Sequence, residues 1–416
     1  MTIRSLWVLV HRYIGLFMAG FLVIIGLTGS IITFNPELNA WLNPMPPIKE
    51  RDALALSPLR LRRIAQELAP QGIVNSVNLH RKPGEPYAAY VERRIDPTTD
   101  KPYPLDFSVL YLDPYSGKEL GRDRGNTDLW PITSKNVMTL INRLHYQLAV
   151  PGTFGTYLFG VIALLWTVDC FVSAYLTFPM RRRASATILR IKDTSWVKRW
   201  WNPSWLIKRG ASFYRLAYDL HRAGGLWLWV LLLVFAWSSV GFNLNEQIYT
   251  PVMKAVFGMP DIYGNRLPTR RVPRPEPKLS WEAAHRLGQR LLTEQSVANG
   301  FRVVYEDFLF YEPEKGIFLY SSRTSRDLTD DDGNTVLIFD EGGQLLSLYV
   351  PTGHNLGSTI HSWIFALHMG KVWGLPYRIF VSLFGVFVAV LSITGIYVWW
   401  KKWRARRHAL VSWNSH

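Results

Sequence analysis

Four stretches of this 416-residue chain, 13–34, 146–168, 223–245 and 379–400, contain no Asp, Glu, Lys or Arg. Each is 22 or 23 residues long. About 20 apolar residues in a helix rise roughly 30 Å, the thickness of a bilayer's hydrocarbon core. The pattern predicts four transmembrane helices and excludes an ordinary soluble enzyme. The charged fraction of 19% is low for a soluble domain, and the hydrophobic fraction of 48% is too high for a disordered chain. The first stretch is too long for a cleaved signal peptide, and no small-residue cleavage site follows Ile32.

The net charge of +16 points at first to nucleic acid, but its distribution removes that reading. Segments 1–12, 181–222 and 401–416 hold 18 Lys/Arg against two acids, Asp193 and Asp219. The long connections 35–149 and 246–378 hold 29 Lys/Arg against 28 acids. The excess therefore lies on one side of the membrane, which the positive-inside rule makes the cytoplasmic side, facing anionic lipid. Both termini are expected inside and two large domains outside, with no nucleic-acid partner. The single cysteine, Cys170, lies within a span, so the chain has no intramolecular disulfide, thiolate zinc site or cysteine-ligated cluster.

The chain is also written twice. "VHRYIGLFMAGFLVIIGLTGSIITFN", from Val10, parallels "LHRAGGLWLWVLLLVFAWSSVGFN", from Leu220. Each opens on His-Arg and closes on Phe-Asn. "LHYQLAVPGTFGTYLFGVIALL", from Leu144, parallels "LHMGKVWGLPYRIFVSLFGVFVAVL", from Leu367. Each begins Leu-His, breaks at Gly/Pro, then spans. The repeat unit is a span out, an outer domain, a His-bearing approach and a span in. The basic, Trp-rich link between the units reads as an interfacial segment on the inner leaflet or as a solvated loop.

The outer domains resemble each other as well. Residues 55–69 have helical spacing, and strand-like runs follow, ending in "VLYLDPYSGKELG" with a turn at Asp113–Gly117. Residues 278–293 form a second helical stretch with Ser280 as N-cap, followed by strands ending in "TVLIFDEGGQLLSL" with a turn at Asp340–Gly343. Each set is a small α+β module.

The helix-plus-hairpin module resembles the PepSY domain, and the "LHxxxxxPG" and "LHMGKVWGLP…TGIYVWW" segments resemble the spans of PepSY-associated transmembrane proteins. The resemblance covers nearly the whole chain. It implies an α-helical membrane protein with four transmembrane helices in two repeats, plus two small α+β PepSY-like periplasmic domains, in a bacterial inner membrane. The expected organisation is helix 1 in 1–36, the first outer domain in 37–132, and the approach with helix 2 in 133–180. The basic link follows in 181–222, helix 3 in 223–245 and the second outer domain in 246–353. The approach with helix 4 occupies 354–402 and the tail 403–416. The sequence departs from the family pattern in "VDCFVSAYLTF", where a Thr-Gly-aromatic ending is usual; the fourth span keeps Thr394-Gly395.

The family includes haem-bearing ferric-siderophore reductases, and four of the ten histidines suit that chemistry. His11 and His221 stand at the inner ends of spans one and three, and His145 and His368 on the outer approaches to spans two and four. A b-type haem needs two axial imidazoles from facing helices, a flat apolar slot and cations near its propionates. Arg12 and Arg222 follow the inner pair directly, and Arg143 and Lys371 flank the outer one. Gly15, Gly224, Gly225, Gly152, Gly155, Gly370 and Gly374 offer close approach to a ring. Repeat symmetry pairs His11 with His221 and His145 with His368, giving two haems b. His361, two turns before His368, competes with it as ligand, and His354 stands near. Any one of these histidines could equally be an interfacial anchor. His80, His285, His408 and His416 read as surface residues, and most tryptophans as interfacial belt.

Asp169 is the only charge inside a span. It could relay a proton, accept a hydrogen bond or simply pack. The expected activity is transmembrane electron transfer reducing a ferric siderophore outside to release Fe(II). No dinucleotide fingerprint is present, so the donor is a cytoplasmic reductase or a membrane quinol. The alternative is a non-enzymatic, membrane-anchored binding or inhibitory module partnering a transporter or protease. A metal permease is disfavoured by the single intramembrane carboxylate.

Overall fold

The structure is a computed structural model and describes residues 2–44, 48, 51, 54–96, 98–123, 129–178, 201–260, 267, 269–270, 273–329 and 332–414. In chain order the helices are α1 (Ile3–Ile32), α2 (Asn35–Leu42), α3 (Pro58–Leu68), α4 (Val137–Gln147), α5 (Phe154–Thr177), α6 (Phe213–Trp227), α7 (Trp229–Asn243), α8 (Thr250–Phe257), α9 (Trp281–Asn299), α10 (Leu356–His368) and α11 (Gly374–Asn414). The strands are β1 (Gly72–Ile73), β2 (Ser76–Asn78), β3 (Tyr87–Tyr90), β4 (Glu92–Arg93), β5 (Ile95–Asp96), β6 (Lys101–Pro102), β7 (Val109–Leu112), β8 (Glu119–Asp123), β9 (Val303–Glu312), β10 (Ile317–Thr324), β11 (Thr335–Asp340) and β12 (Leu345–Tyr349). The chain divides into two compact units, one of Met1–Leu38, Met138–Pro251 and Leu367–His416, the other of Asn39–Val137 and Val252–Ala366.

The first unit is a helix bundle. Its helices α1, α5 and α11 are long and apolar enough to cross a bilayer. The third uncharged stretch, 223–245, differs from the expected single span. It starts in the last turn of α6, breaks at Leu228 and continues as α7, with a 72° bend between the two helices. Among the described residues the count is therefore three spans, or four if the bent pair is one. The indoles flanking the break are tethered to different partners. Trp227 Nε1 donates to the carbonyl of Trp205 at 3.1 Å and Trp229 Nε1 to that of Cys170 at 2.7 Å. Residues 181–200 of the basic link lie outside the described residues.

Packing in the bundle crosses the repeats: α1 lies along α11, and α5 along α7. The α1–α11 contact is built on small residues. A methyl at Gly26 would meet the carbonyl oxygen of Gly385 at 2.4 Å, so the backbones touch. Beside them Ser30 Oγ donates to the carbonyl of Ser382 at 2.7 Å and Ser382 Oγ to that of Ser30 at 3.0 Å. One turn past the end of α1, Arg378 forms a bidentate pair with Glu37 at 2.6 and 2.7 Å and donates to the Thr33 carbonyl. Arg4 ties α1 to α5 by donating to the terminal carbonyls of Leu176 and Phe178 at 2.7 and 2.9 Å.

The second unit is α+β. Helix α9 starts at Ser280, whose side chain accepts the Ala283 N–H, and ends at Gly300 in the left-handed region. It packs on a sheet of order β12-β11-β10-β9-β2. Leu309, Tyr311, Phe318, Tyr320, Leu337 and Phe339 are fully buried in that core. Helix α3, capped by Ser57, covers the sheet β3-β7-β8 through Leu61 and Ala65. Both expected hairpin turns form, with Gly117 and Gly343 at φ of 71° and 90°, where a side chain would be strained. One feature departs from two separate modules. Strand β2, from the first sequence repeat, pairs with β9 of the second.

Candidate functional site

The bundle brings the four repeat-matched histidines together in two pairs. The ring centres of His11 (α1) and His221 (α6) are 6.1 Å apart, and those of His145 (α4) and His368 (α10) are 6.4 Å apart. Two imidazoles bonded to one metal from opposite sides, each at about 2.0 Å with its centre about 1 Å further back, stand about 6 Å apart. The two pairs have that spacing. Ile25, which holds His145, lies 14 residues after His11 on α1, so the pairs are separated by about 21 Å along this helix.

Each ring is fixed through Nδ1. At the first pair, His11 Nδ1 lies 2.9 and 3.0 Å from the two oxygens of Asp169, and His221 Nδ1 is 2.9 Å from the Leu391 carbonyl. At the second, His145 Nδ1 is 3.1 Å from the Ile25 carbonyl and 3.2 Å from Thr28 Oγ1, and His368 Nδ1 is 2.6 Å from Ser238 Oγ. The partners decide the tautomers. Carbonyls and carboxylate only accept. The Thr28 hydroxyl has the Ile24 carbonyl as an acceptor for its own proton, while the Ser238 hydroxyl has both the Val234 carbonyl and His368 Nδ1 within reach of its single proton. His11, His145 and His221 therefore carry a proton on Nδ1 and leave Nε2 free of protein partners, and His368 is held through Nδ1 by a hydroxyl that suits either tautomer. Among the described residues every hydrogen bond of these rings runs through Nδ1. A second group that fixes the ring and tautomer is the usual support of an imidazole metal ligand.

The same device recurs in both repeats. His145 sits on Gly29 and His221 on Gly395: a methyl at either glycine would lie 2.9 or 2.8 Å from the ring's Cε1. In each case the accepting carbonyl belongs to the residue four before the glycine, where the missing Cβ exposes it to a second donor. Thr28 and Ser238 correspond as well, each 17 residues after the His-Arg histidine of its repeat. None of Gly29, Thr28 and Ser238 was pointed to by the sequence, and Gly395 only as part of the Thr-Gly ending of the fourth span. The Thr-Gly steps at 28–29 and 394–395 were the signal.

The other expected site residues are placed as follows. Arg12 lies half-buried in the turn after His11. Arg222 donates to Asp219 at 3.0 Å and to the carbonyls of Pro203 and Leu206, while its Nε is buried without a partner. Asp219 is fully buried and also takes Arg215 at 2.9 Å, which locks this end of α6 beside His221. Gly15 and Gly225, one turn after His11 and His221, leave open backbone: a methyl would meet nothing within 4 Å at Gly15 and only Leu391 at Gly225. Gly152 and Gly370 serve turns, at φ of 75° and 68°, and Gly374 opens α11 at φ of 62°. Gly155 and Gly224 lie against Gln147 and Phe387 rather than beside a histidine. Phe235 stacks on His368 at 4.6 Å. His361 has its ring against Phe365 at 4.4 Å, and it is the His368 ring that stands 6.4 Å from that of His145. His354 is exposed. His80 is exposed but stacked on Tyr305, and His285, read as a surface residue, is half-buried and bonded to Glu306. Asp169 is no mere packing polar, since it orients His11.

Among the described residues no group of three or more His, Cys, Asp or Glu could hold a bare metal ion. A haem asks less of the protein, two axial imidazoles and a slot, because the macrocycle supplies the remaining nitrogens. The two imidazole pairs meet the ligand part of that demand. No curated protein matches the chain. The family model described as the PepSY-associated TM region matches residues 8–402. The chain is a membrane protein and belongs to the PepSY-associated transmembrane family.

Proposed function

We propose that the chain is a transmembrane haem-b electron-transfer protein with two haems, which reduces a ferric siderophore on the periplasmic side and releases Fe(II). The observation that carries the reading is the double histidine clamp: two pairs at ligand spacing, each of the four rings anchored at Nδ1 with Nε2 turned free. Bound haem would supply a one-electron couple at each pair. His11 and His221 would hold one haem, with Arg12 and Arg222 near its propionates, and His145 and His368 the other. The chain's own contribution is positional. Gly29 and Gly395 let rings seat against backbone, Ser238 and Thr28 hold rings at Nδ1, and the α1–α11 crossing sets the separation. The lysine- and arginine-rich termini favour a cytoplasmic face at the His11–His221 end, where a reductase or membrane quinol would donate. Reduction of iron to Fe(II) weakens hard-oxygen chelation, which suits a siderophore as acceptor.

The test is a pyridine haemochrome assay on protein purified from haem-replete cells, with a dithionite-reduced spectrum. Two haems b per chain and sharp Soret and α bands are expected. Colourless protein would overturn the reading in favour of a membrane-anchored binding module.

A further inference from the structure

The two repeats are not equal at their histidines, and the inequality is a single charge. At His221, His145 and His368, Nδ1 is held by a neutral oxygen, from Leu391, Ile25 with Thr28, and Ser238. At His11 it donates to the carboxylate of Asp169. The sequence shows what was replaced. Phe159-Gly160-Val161 in α5 corresponds to Phe384-Gly385-Val386 in α11, and ten residues from the first Phe stand Asp169-Cys170 in one repeat and Thr394-Gly395 in the other. Gly395 seats His221 over bare backbone. Cys170 carries a Cβ there, and His11 turns instead to the neighbouring carboxylate.

That carboxylate is 9% exposed, and among the described residues its ion pair is with His11 alone. A buried negative charge in contact with a ligand's ring is weakly screened. It makes the imidazole a stronger electron donor and favours the more positive oxidation state of whatever iron that imidazole holds.

We propose that Asp169 makes the two sites electrochemically unequal, holding the His11–His221 site at a lower midpoint potential than the His145–His368 site. A single electron in the protein then rests at the His145–His368 site. The exchange is one electron between two irons, with no bond or proton transferred. Asp169 acts as a positioning residue through His11, and the sense of electron flow along the bundle is built into one residue of one repeat. This rests on the haem reading above.

The experiment is a spectroelectrochemical redox titration of the full chain with its haem, wild type beside Asp169→Asn. His145→Ala, which keeps the His11–His221 pair, identifies that pair's component. Haem per chain is counted first, so absence of haem registers as failure of the haem reading and not of this one. The wild type should titrate in two components separated by at least tenfold in equilibrium constant, 59 mV for a one-electron couple. The lower belongs to His11–His221. Asp169→Asn should raise that component by a similar factor and leave the upper in place. If Asp169→Asn does not accumulate, Asp169→Thr, which restores the residue of the other repeat, should do the same. Coincident components in the wild type, or a variant that moves the upper component or neither, would overturn the proposal.

Discussion

Replacing Gly395 by Ala tests whether the histidines are held where a ligand needs them. The added methyl would stand 2.8 Å from Cε1 of His221 and 3.2 Å from its Nδ1. Ordinary carbon contacts are about 3.5–4.0 Å, so the ring must retreat by roughly 1 Å. It is tied by the 2.9 Å bond to the Leu391 carbonyl, four residues back on the same helix. A retreat of that size takes the bond past the usual limit of about 3.2 Å. The lost bond costs about 0.5–1.5 kcal/mol and the overpacking about 1–3 kcal/mol. Disturbing the outer support of a metal ligand lowers affinity about 10–100-fold. The assay is haem content by pyridine haemochrome during titration with haem. Gly395→Ala should bind one equivalent normally and the second 10–100-fold more weakly. Gly20→Ala, where a methyl meets nothing within 4 Å, should behave as wild type. Two tight equivalents in Gly395→Ala would refute the claim that bare backbone seats His221.

Four further outcomes are expected. His368→Ala should lose one haem of two, while His361→Ala keeps both, as the haemochrome count will show. Gly26→Val should abolish accumulation of folded protein in detergent, judged by size-exclusion chromatography, because the Cβ would lie 2.4 Å from the Gly385 carbonyl, a backbone atom that cannot swing away. In the second unit, burial would raise Glu341, but the Lys278 N–H, the Arg270 guanidinium and the Tyr311 hydroxyl outweigh it and hold the carboxyl below its usual range. Its stabilisation is complete above the ordinary carboxylate pKa and is lost as pH falls through the lowered one, so amide exchange around Lys278 and Tyr311 should quicken in that acidic window and lose this dependence in Glu341→Gln. Asp327→Ala should destabilise the same unit by about 2–4 kcal/mol in denaturant unfolding, since its carboxylate accepts from the Thr324 N–H and hydroxyl, Thr335 and Asn334.

Much of this was legible in the sequence because its causes are local. Uncharged length marks a span, Ser280 marks a helix start, and Asp-turn-Gly marks the two hairpins. The histidine pairs were legible through the repeat, since symmetry carries a local motif across the molecule. What the sequence hid was set by distant partners. The break at Leu228 lies in an uninterrupted apolar run, and the indoles on either side of it find acceptors far away in sequence, at Trp205 and Cys170. Strand β2 is three residues long and is defined by β9, more than 200 residues away. Asp169 was conspicuous as a charge in a span, but its partner is 158 residues earlier. Gly29 and Gly395 stand far in sequence from the histidines they seat, because each ring rests on a helix other than its own.

The most direct test of the account is the number of haems b per chain in protein purified from haem-replete cells, with the number remaining after His11→Ala and after His145→Ala. Two in the wild type and one in each variant is the predicted result. A colourless wild type, or variants that each keep both haems, would contradict the assignment of the four imidazoles as ligands.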